Sequence, residues 1–191
     1  MASILVLGIG NILLRDEGVG VHVVQEMTDR AARGTLKLPD DVELVDGGTF
    51  GIDLLDTIAG RRKVIVIDAV EPLRSAECGV RSETEQDAAA DNPQSAIRDP
   101  QSAMPGAVLR FTAEDLARRE TADLSLHQVG LFETLAMARQ LGSDVGETVI
   151  LGIVPKTLES GLELSPEVAA AVPKVIELVM KEIKDAGPYP G

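Results

Sequence analysis

Four ionisable side chains occupy positions in the sequence from which they could carry out chemistry. Asp16 and Glu17 adjoin each other in a glycine-flanked segment that follows the first apolar run. Asp68 ends a later apolar run, and His127 lies in a Ser-Leu-His-Gln motif. Two carboxylates and one imidazole suit a divalent cation such as zinc, nickel, manganese or iron, and three protein ligands leave coordination positions open. Glu17, Asp68 and His127 are therefore candidate ligands of a cation.

Each candidate ligand also has a simpler interpretation. Glu17 could complement the dipole of the helix that follows it, Asp68 could form an Asx turn, and His127 could be an ordinary helix residue. His22 lies five residues after Glu17, a spacing that directs it to another part of the helix surface, so we expect a structural or exposed role. The residue types alone leave these interpretations open.

A dinucleotide site is the main alternative for the N-terminal segment. Gly8 and Gly10 fit the first two positions of the Gly-x-Gly-x-x-Gly fingerprint, and Asp46 could mimic the ribose-binding acid. The third glycine position holds Leu13, however, and the adjacent carboxylates stand where a pyrophosphate would bind the helix N-terminus. The missing glycine and the unfavourable charge argue against a nucleotide.

The elements that must position these side chains follow from the hydrophobic patterning. Apolar runs predict strands at 3–7, 42–45, 63–67, 107–111 and 148–153. Helices are predicted at 17–31, around 54–58, after Ser125 and from 165 to about 187. The alternation predicts one α/β domain spanning 1–191: three layers, with a mainly parallel twisted sheet of about five strands and helices on both faces. Ligands bind beyond the carboxyl ends of such strands, where Glu17, Asp68 and His127 should lie.

Local signals predict how several helices begin. Asp16 is placed to cap the first helix, and Thr112 with Asp115 resembles a capping box. Ser125 and Gln128 form a second such box, and Ser165 precedes a proline at the start of the last helix. By these signals Asp16 has a structural role.

Residues 74–105 differ from the rest of the chain in composition. They are rich in Ser, Ala, Asp, Glu, Gln and Pro, and Asp-Asn-Pro-Gln-Ser-Ala-Ile at 91–97 is nearly repeated at 98–104. Such a stretch cannot bury enough apolar surface to offset the entropy of ordering. We predict a disordered surface insertion, with a partner-binding arm as the alternative.

The composition excludes several classes of protein. The formal charge of −13 over 191 residues argues against binding to nucleic acid or to an anionic membrane surface. No apolar run reaches the roughly 18 residues of a membrane span, and the N-terminus lacks the features of a signal peptide. Cys78 is the single cysteine, so a cytoplasmic location is expected. His-Glu-x-x-His, Cys-x-x-Cys, Gly-x-Ser-x-Gly and Walker A motifs are all absent from the sequence.

Several motifs together resemble those of the hydrogenase maturation proteases. The resemblance covers segment 4–20, Asp46-Gly-Gly-Thr49, Val66-Ile-Asp-Ala69, Ser125-Leu-His-Gln128, Gly152-Ile-Val-Pro155 and Gly161-Leu-Glu-Leu-Ser-Pro166. It spans most of the chain in the family's order. It implies a monomeric endopeptidase that removes the C-terminal extension of a nickel–iron hydrogenase large-subunit precursor after nickel insertion, on a single five-stranded α/β domain.

The resemblance also assigns the site. It makes Glu17, Asp68 and His127 the catalytic and metal-binding residues, and it implies that the nickel is carried by the substrate rather than permanently bound. The metal would polarise the scissile carbonyl and activate water, or Asp68 would act as a general base. The 46–49 loop would approach the substrate backbone, or would be a plain turn. Two alternatives stay open: a nickel or precursor chaperone that does not cleave, and another metal-dependent hydrolase on the same scaffold.

Overall fold

A computed structural model describes residues 3–49, 54–70, 104–112, 115, 133–138, 140–142 and 145–187. Three sequence predictions lie outside these residues: the 125–128 motif with His127, the environment of Cys78, and all but the last two residues of the polar stretch 74–105. Everything that follows about structure refers to the described residues.

Five strands form one sheet in the order β2-β1-β3-β5-β4. The strands are β1 (Ile4–Ile9), β2 (Val42–Gly48), β3 (Lys63–Ala69), β4 (Val108–Thr112) and β5 (Glu147–Ile153). β1 pairs in parallel with β2 and β3, β3 pairs in parallel with β5, and β4 runs antiparallel to β5 at the edge. The predicted mainly parallel five-stranded sheet is therefore confirmed, although β2 extends further than the apolar pattern indicated.

Helices cover both faces of this sheet. They are α1 (Val19–Ala32), α2 (Leu55–Ile58), α3 (133–138) and α4 (Pro166–Asp185). One face of the sheet packs against α1 and α4 in a cluster of aliphatic side chains that includes Val23, Ile65 and Val179. The other face packs against α2 and α3 through residues such as Ile58 and Leu135. Because successive strand residues point to opposite faces, the continuous apolar runs fill both cores, as the three-layer prediction requires.

The first helix begins differently from the prediction. Arg15–Gly18 forms a short 3₁₀ turn, and α1 starts only at Val19, with Gly18 in the N-cap position. No side chain caps α1, so the assignment of Asp16 as its cap is wrong. The Thr112–Asp115 capping box is confirmed, because the Asp115 carboxylate accepts from the Thr112 N–H at 2.9 Å and the Asp115 N–H donates to the Thr112 hydroxyl at 3.1 Å.

A buried ionic network fastens β4 and α4 to the amino-terminal edge of the sheet. Glu182 of α4 accepts hydrogen bonds from Lys63 Nζ at 2.8 Å and from Arg110 Nε at 2.6 Å. Glu147 lies 3.1 Å from the same Lys63 ammonium. This network joins β3, β4, β5 and α4 at the edge remote from Asp68. In the part of the chain that the structure describes, no helix combines the length and apolar character needed to cross a membrane.

Candidate functional site

Two glycines let the start of α1 lie directly against the carboxyl ends of β1 and β3. A Cβ atom on Gly20 would lie 2.1 Å from the carbonyl oxygen of Ile67 and 2.4 Å from that of Ile9. A Cβ atom on Gly8 would lie 2.2 Å from the carbonyl oxygen of Gly20. These glycines therefore allow close helix–strand packing rather than phosphate binding, and they bring the first turn of α1 beside Asp68.

The loop between β1 and α1 folds back over the end of β1. Gly10 has a φ of 132°, and a Cβ atom there would lie 1.8 Å from the Glu17 carbonyl oxygen. A Cβ atom on Gly18 would lie 2.7 Å from Ile12 Cα. The backbone N–H of Glu17 donates to the carbonyl of Leu14 at 3.1 Å. Close packing without side chains at the two glycines therefore sets the position of the half-buried Glu17.

Asp16 fastens this loop to the segment that connects β5 with α4. Its carboxylate, which is fully buried, accepts hydrogen bonds from the backbone N–H groups of Lys156 (2.9 Å), Thr157 (3.1 Å) and Ser165 (2.7 Å). The Ser165 hydroxyl donates a fourth bond at 2.8 Å. Burial alone would raise the pKa of Asp16, but these four bonds together hold the pKa below its ordinary value. Asp16 is thus a permanently ionised anchor next to Glu17.

Asp68 has the opposite environment. It lies at the carboxyl end of β3 with only 1% of its surface exposed, and neither carboxylate oxygen has a well-formed hydrogen bond. Burial is the main cause that raises its pKa to about 8; the N–H of Ala69 acts in the opposite direction, and the negative charge of Glu17 adds a smaller upward contribution. A buried carboxyl group without good donors is a candidate functional group, because its own fold does not stabilise its charge.

The structure brings together two of the three predicted site residues. Glu17 is close enough to Asp68 for its charge to act on the Asp68 carboxyl group, and both lie beyond the strand ends. His127 lies outside the described residues, so its placement stays a prediction. Within the described ranges, no group of three His, Cys, Asp or Glu residues is arranged to hold a metal ion. His22 is half-buried in α1, and its Nε2 is buried without a hydrogen-bond partner.

The Asp46 loop forms a turn beside this acid pair. Asp46 Oδ1 accepts a hydrogen bond from the Gly48 N–H at 3.0 Å, and Gly48 has a φ of 54°. The Gly48 carbonyl then accepts from the N–H of Gly10 at 2.9 Å. This Asx turn confirms the structural interpretation of the motif. It also holds the glycine backbone beside the loop that carries Glu17, while the approach of a substrate to it stays a prediction.

The acid pair can bind a proton or a cation. Burial and the nearby charge of Glu17 raise the pKa of Asp68 to about 8, so this carboxyl group keeps its proton at neutral pH unless a positive charge replaces it. The oxygens of Asp68 are acceptors without good donors, which is the arrangement that a metal ligand requires. The residues present therefore fit a divalent cation, with room for further ligands.

Sequence reasoning missed the role of Asp16 and Ser165. Ser165 does stand at the N-cap position of α4, as predicted, yet its hydroxyl binds Asp16 instead of capping the helix. The two residues are 149 positions apart, so no local pattern could have paired them. A cleft of about 530 Å³ lies elsewhere, beside Ile4 and Met180 near the amino-terminal edge, and contains none of the predicted site residues.

Comparison with known proteins identifies the relatives of this chain. A family model described as hydrogenase maturation protease matches residues 21–80 and 101–182. The hydrogenase 2 maturation protease of Escherichia coli is 31% identical over 184 residues, covering 96% of this chain and 92% of that protein. The hydrogenase expression/formation protein HupD of Thiocapsa roseopersicina is 30% identical, covering 97% of this chain and 69% of that protein.

Solved structures agree with the sequence relatives. The hydrogenase maturating endopeptidase HybD of E. coli superposes with a TM-score of 0.71 at 30% identity, covering 96% of this chain and 93% of that chain. A [NiFe] hydrogenase maturation protease HybD from Thermococcus kodakarensis superposes with a TM-score of 0.66 at 23% identity, covering 94% and 98% of the two chains. At 23% identity, the comparison with the Thermococcus kodakarensis protein shows a shared fold only.

Proposed function

The chain belongs to the hydrogenase maturation protease family, and we propose from this that it removes the C-terminal extension of a nickel–iron hydrogenase large-subunit precursor once nickel has been inserted. The observation that carries the proposal is the acid pair of Glu17 and Asp68 at the strand ends. A hydrolase that acts only on a metal-loaded substrate needs ligand atoms that are held in position but are not already occupied by hydrogen bonds within the protein. Asp68 meets that description, because its buried oxygens lack good hydrogen-bond donors.

We assign separate roles to the residues of the site. Glu17, Asp68 and His127 engage the nickel that the precursor carries, and Asp16 holds the Glu17 turn in place. Nickel would supply Lewis-acid polarisation of the scissile carbonyl and acidify a water molecule. Asp68 would act as a general base only after a cation has favoured its ionised form. The glycine backbone of the 46–49 turn is open to a substrate strand.

The raised pKa of Asp68 supports the proposal that nickel on the substrate acts as a signal. Burial raises this pKa to about 8, so in the absence of a cation Asp68 holds a proton at neutral pH. A protonated carboxyl group is a poor ligand and a poor base, so we expect slow cleavage in the metal-free site. A positive charge brought by the precursor would favour the ionised form of Asp68 and so complete the site.

A chaperone that binds the precursor without cleaving it is the second candidate. A buried carboxyl group without good hydrogen-bond donors, such as Asp68, suits transient metal binding as well as catalysis, so the site is compatible with both roles. The relatives named as proteases or endopeptidases favour cleavage. Another metal-dependent hydrolase on this scaffold would share the acid pair and differ in its substrate.

Incubation of the purified protein with precursor tests the proposal. Nickel-loaded and nickel-free precursor are each mixed with the protein, and the mass of the large subunit is followed over time. We expect a shortened product from the nickel-loaded precursor only. Equal cleavage of both forms would reject the dependence on nickel, and an unchanged mass with stable complex formation would favour the chaperone.

Variants of the site test the residue assignments. Asp68→Ala, Glu17→Ala and His127→Ala should each lower the cleavage rate by at least about a hundredfold, the usual scale for a catalytic group. His22→Ala serves as the matched histidine control, because we place it outside the site. A full processing rate in Asp68→Ala would remove Asp68 from the mechanism.

A further inference from the structure

Exposed aliphatic side chains are concentrated on two loops next to Glu17. Ile12 and Leu13 lie on the β1–α1 loop with 40% and 60% of their surfaces exposed. Leu158 and Leu162 lie on the β5–α4 connection with 40% and 62% exposed. Isolated exposed leucines are ordinary on protein surfaces, but a concentration on neighbouring loops indicates a contact surface.

Backbone hydrogen bonds hold these two loops side by side. The N–H of Gly161 donates to the Leu13 carbonyl at 2.9 Å, and the N–H of Arg15 donates to the Gly161 carbonyl at 2.9 Å. This is a one-residue parallel bridge between Leu14 and Gly161. Leu13 immediately precedes Leu14 and Leu162 immediately follows Gly161, so each exposed leucine lies one residue from this bridge. The bridge therefore brings the two leucine-bearing segments together.

The same surface continues into the acid pair. Ile12 packs against Gly18, where a Cβ atom would lie 2.7 Å from Ile12 Cα, and Glu17 donates its N–H to Leu14. The Asp16 carboxylate joins the two loops from beneath, through its bonds to Lys156, Thr157 and Ser165. The aliphatic surface is thus rigidly connected to the turn that carries Glu17.

Charge indicates which partner fits. Glu159 and Glu163 are exposed and alternate along the sequence with Leu158 and Leu162, in a chain with a formal charge of −13. A second copy of this chain would bring the same negative charge to the surface and be repelled. An aliphatic segment that also carries lysine or arginine would bury the leucines and pair with the carboxylates.

We propose that Ile12, Leu13, Leu158 and Leu162 form the docking surface for an aliphatic, basic segment of the precursor that is cleaved. This inference rests on the proposed function, because it takes the hydrogenase precursor as the partner. The surface supplies binding energy beside the acid pair without taking part in the reaction, so its loss raises KM and leaves kcat unchanged.

Three single variants test the docking surface. Leu13→Ser and Leu162→Ser each remove one exposed leucine from it, whereas Leu141→Ser removes a leucine of similar exposure, 67%, from the segment leading into β5 at the opposite edge. Binding of nickel-loaded precursor is measured by biolayer interferometry, and KM and kcat are measured by the mass of the product. We expect Kd and KM to rise about tenfold in the first two variants, the effect of exposing one leucine that binding had buried. Leu141→Ser should bind as the unchanged protein does.

Binding and cleavage together separate the two proposals. If the unchanged protein binds precursor without cleaving it and the surface variants weaken binding, the docking surface stands and the protease proposal fails. If cleavage proceeds and both surface variants keep Kd and KM within twofold, the docking surface is rejected and the protease proposal stands. Equal weakening by Leu141→Ser would also reject it. So would self-association of the unchanged protein that Leu13→Ser abolishes, because the partner would then be a second copy.

Discussion

Ser165 binds Asp16 twice, with its backbone N–H 2.7 Å from Oδ1 and its hydroxyl 2.8 Å from Oδ2. The pair joins the loop after β1 to the start of α4, and it fixes the residue that precedes Glu17. A serine at the N-cap position of α4 thus holds the loop that carries Glu17 and leaves the helix uncapped.

Substitution of Asp16 should destabilise the protein and displace Glu17. Asp16→Asn places an NH₂ group against backbone donors, so we expect a loss of about 2–3 kcal/mol in the free energy of unfolding. Ser165→Ala removes only the hydroxyl bond and should cost about 1 kcal/mol. Urea unfolding at pH 7 measures both changes. Equal small losses in the two variants would contradict the anchoring role.

Gly20 should tolerate no side chain. Gly20→Ala places a methyl group 2.1 Å from the Ile67 carbonyl oxygen, so α1 must move away from the sheet, at a cost of about 3 kcal/mol or more. Gly34→Ala is the control, because its φ is 72° but no atom lies within 4 Å of the added Cβ. That variant should lose only about 1 kcal/mol from backbone strain. Thermal unfolding of the two variants shows whether a steric clash at Gly20 costs more stability than an unfavourable backbone conformation at Gly34 does.

The metal-free protein should lose stability as the pH rises towards 8. The pKa of Asp68 is raised from its ordinary value near 3.8 to about 8, so the unfolded chain releases this proton at a lower pH than the folded protein does. The contribution of Asp68 to stability therefore falls between about pH 4 and pH 8 and is constant above that. Asp68→Asn should remove this fall and raise the unfolding free energy at pH 8 by about 2 kcal/mol or more.

Chemical denaturation across pH 4–9 in the presence of a chelator measures this effect. The free energies of unfolding of the unchanged protein and of Asp68→Asn should be similar near pH 4 and should differ increasingly as the pH rises. If the two proteins show the same dependence of unfolding free energy on pH, then the pKa of Asp68 is not raised in the folded, metal-free protein.

The ionic network at the opposite edge should matter for folding and not for chemistry. Glu182→Gln removes the charge that pairs with Lys63 and Arg110, so we expect a loss of about 3 kcal/mol in stability. Glu177→Gln breaks an exposed pair with Lys174 and should change stability by less than about 0.5 kcal/mol. The cleavage rate of folded Glu182→Gln at a low temperature should match that of the unchanged protein. A large drop in that rate would show coupling between this edge and the site.

Many features of the fold could be predicted from local sequence patterns. The hydrophobic pattern predicted all five strands, most clearly β1, β3 and β5, because strands buried on both faces are apolar along most of their length. Helical spacing placed Leu135 and Ala138 in the core, and Pro166 marked the start of α4. Asp68 was a candidate site residue from sequence because functional groups concentrate at the carboxyl ends of buried strands.

The tertiary structure decided which of two adjacent acids has which role. Asp16 and Glu17 are adjacent acids, and local rules made Asp16 a helix cap. Its real partners lie at 156, 157 and 165, so only the folding of β5 and α4 against β1 makes it an anchor. The raised pKa of Asp68 is likewise a property of burial and of the charge on Glu17. Residue types thus determined the available chemistry, and long-range packing determined which carboxyl group is buried, which is ionised and which has hydrogen-bond donors.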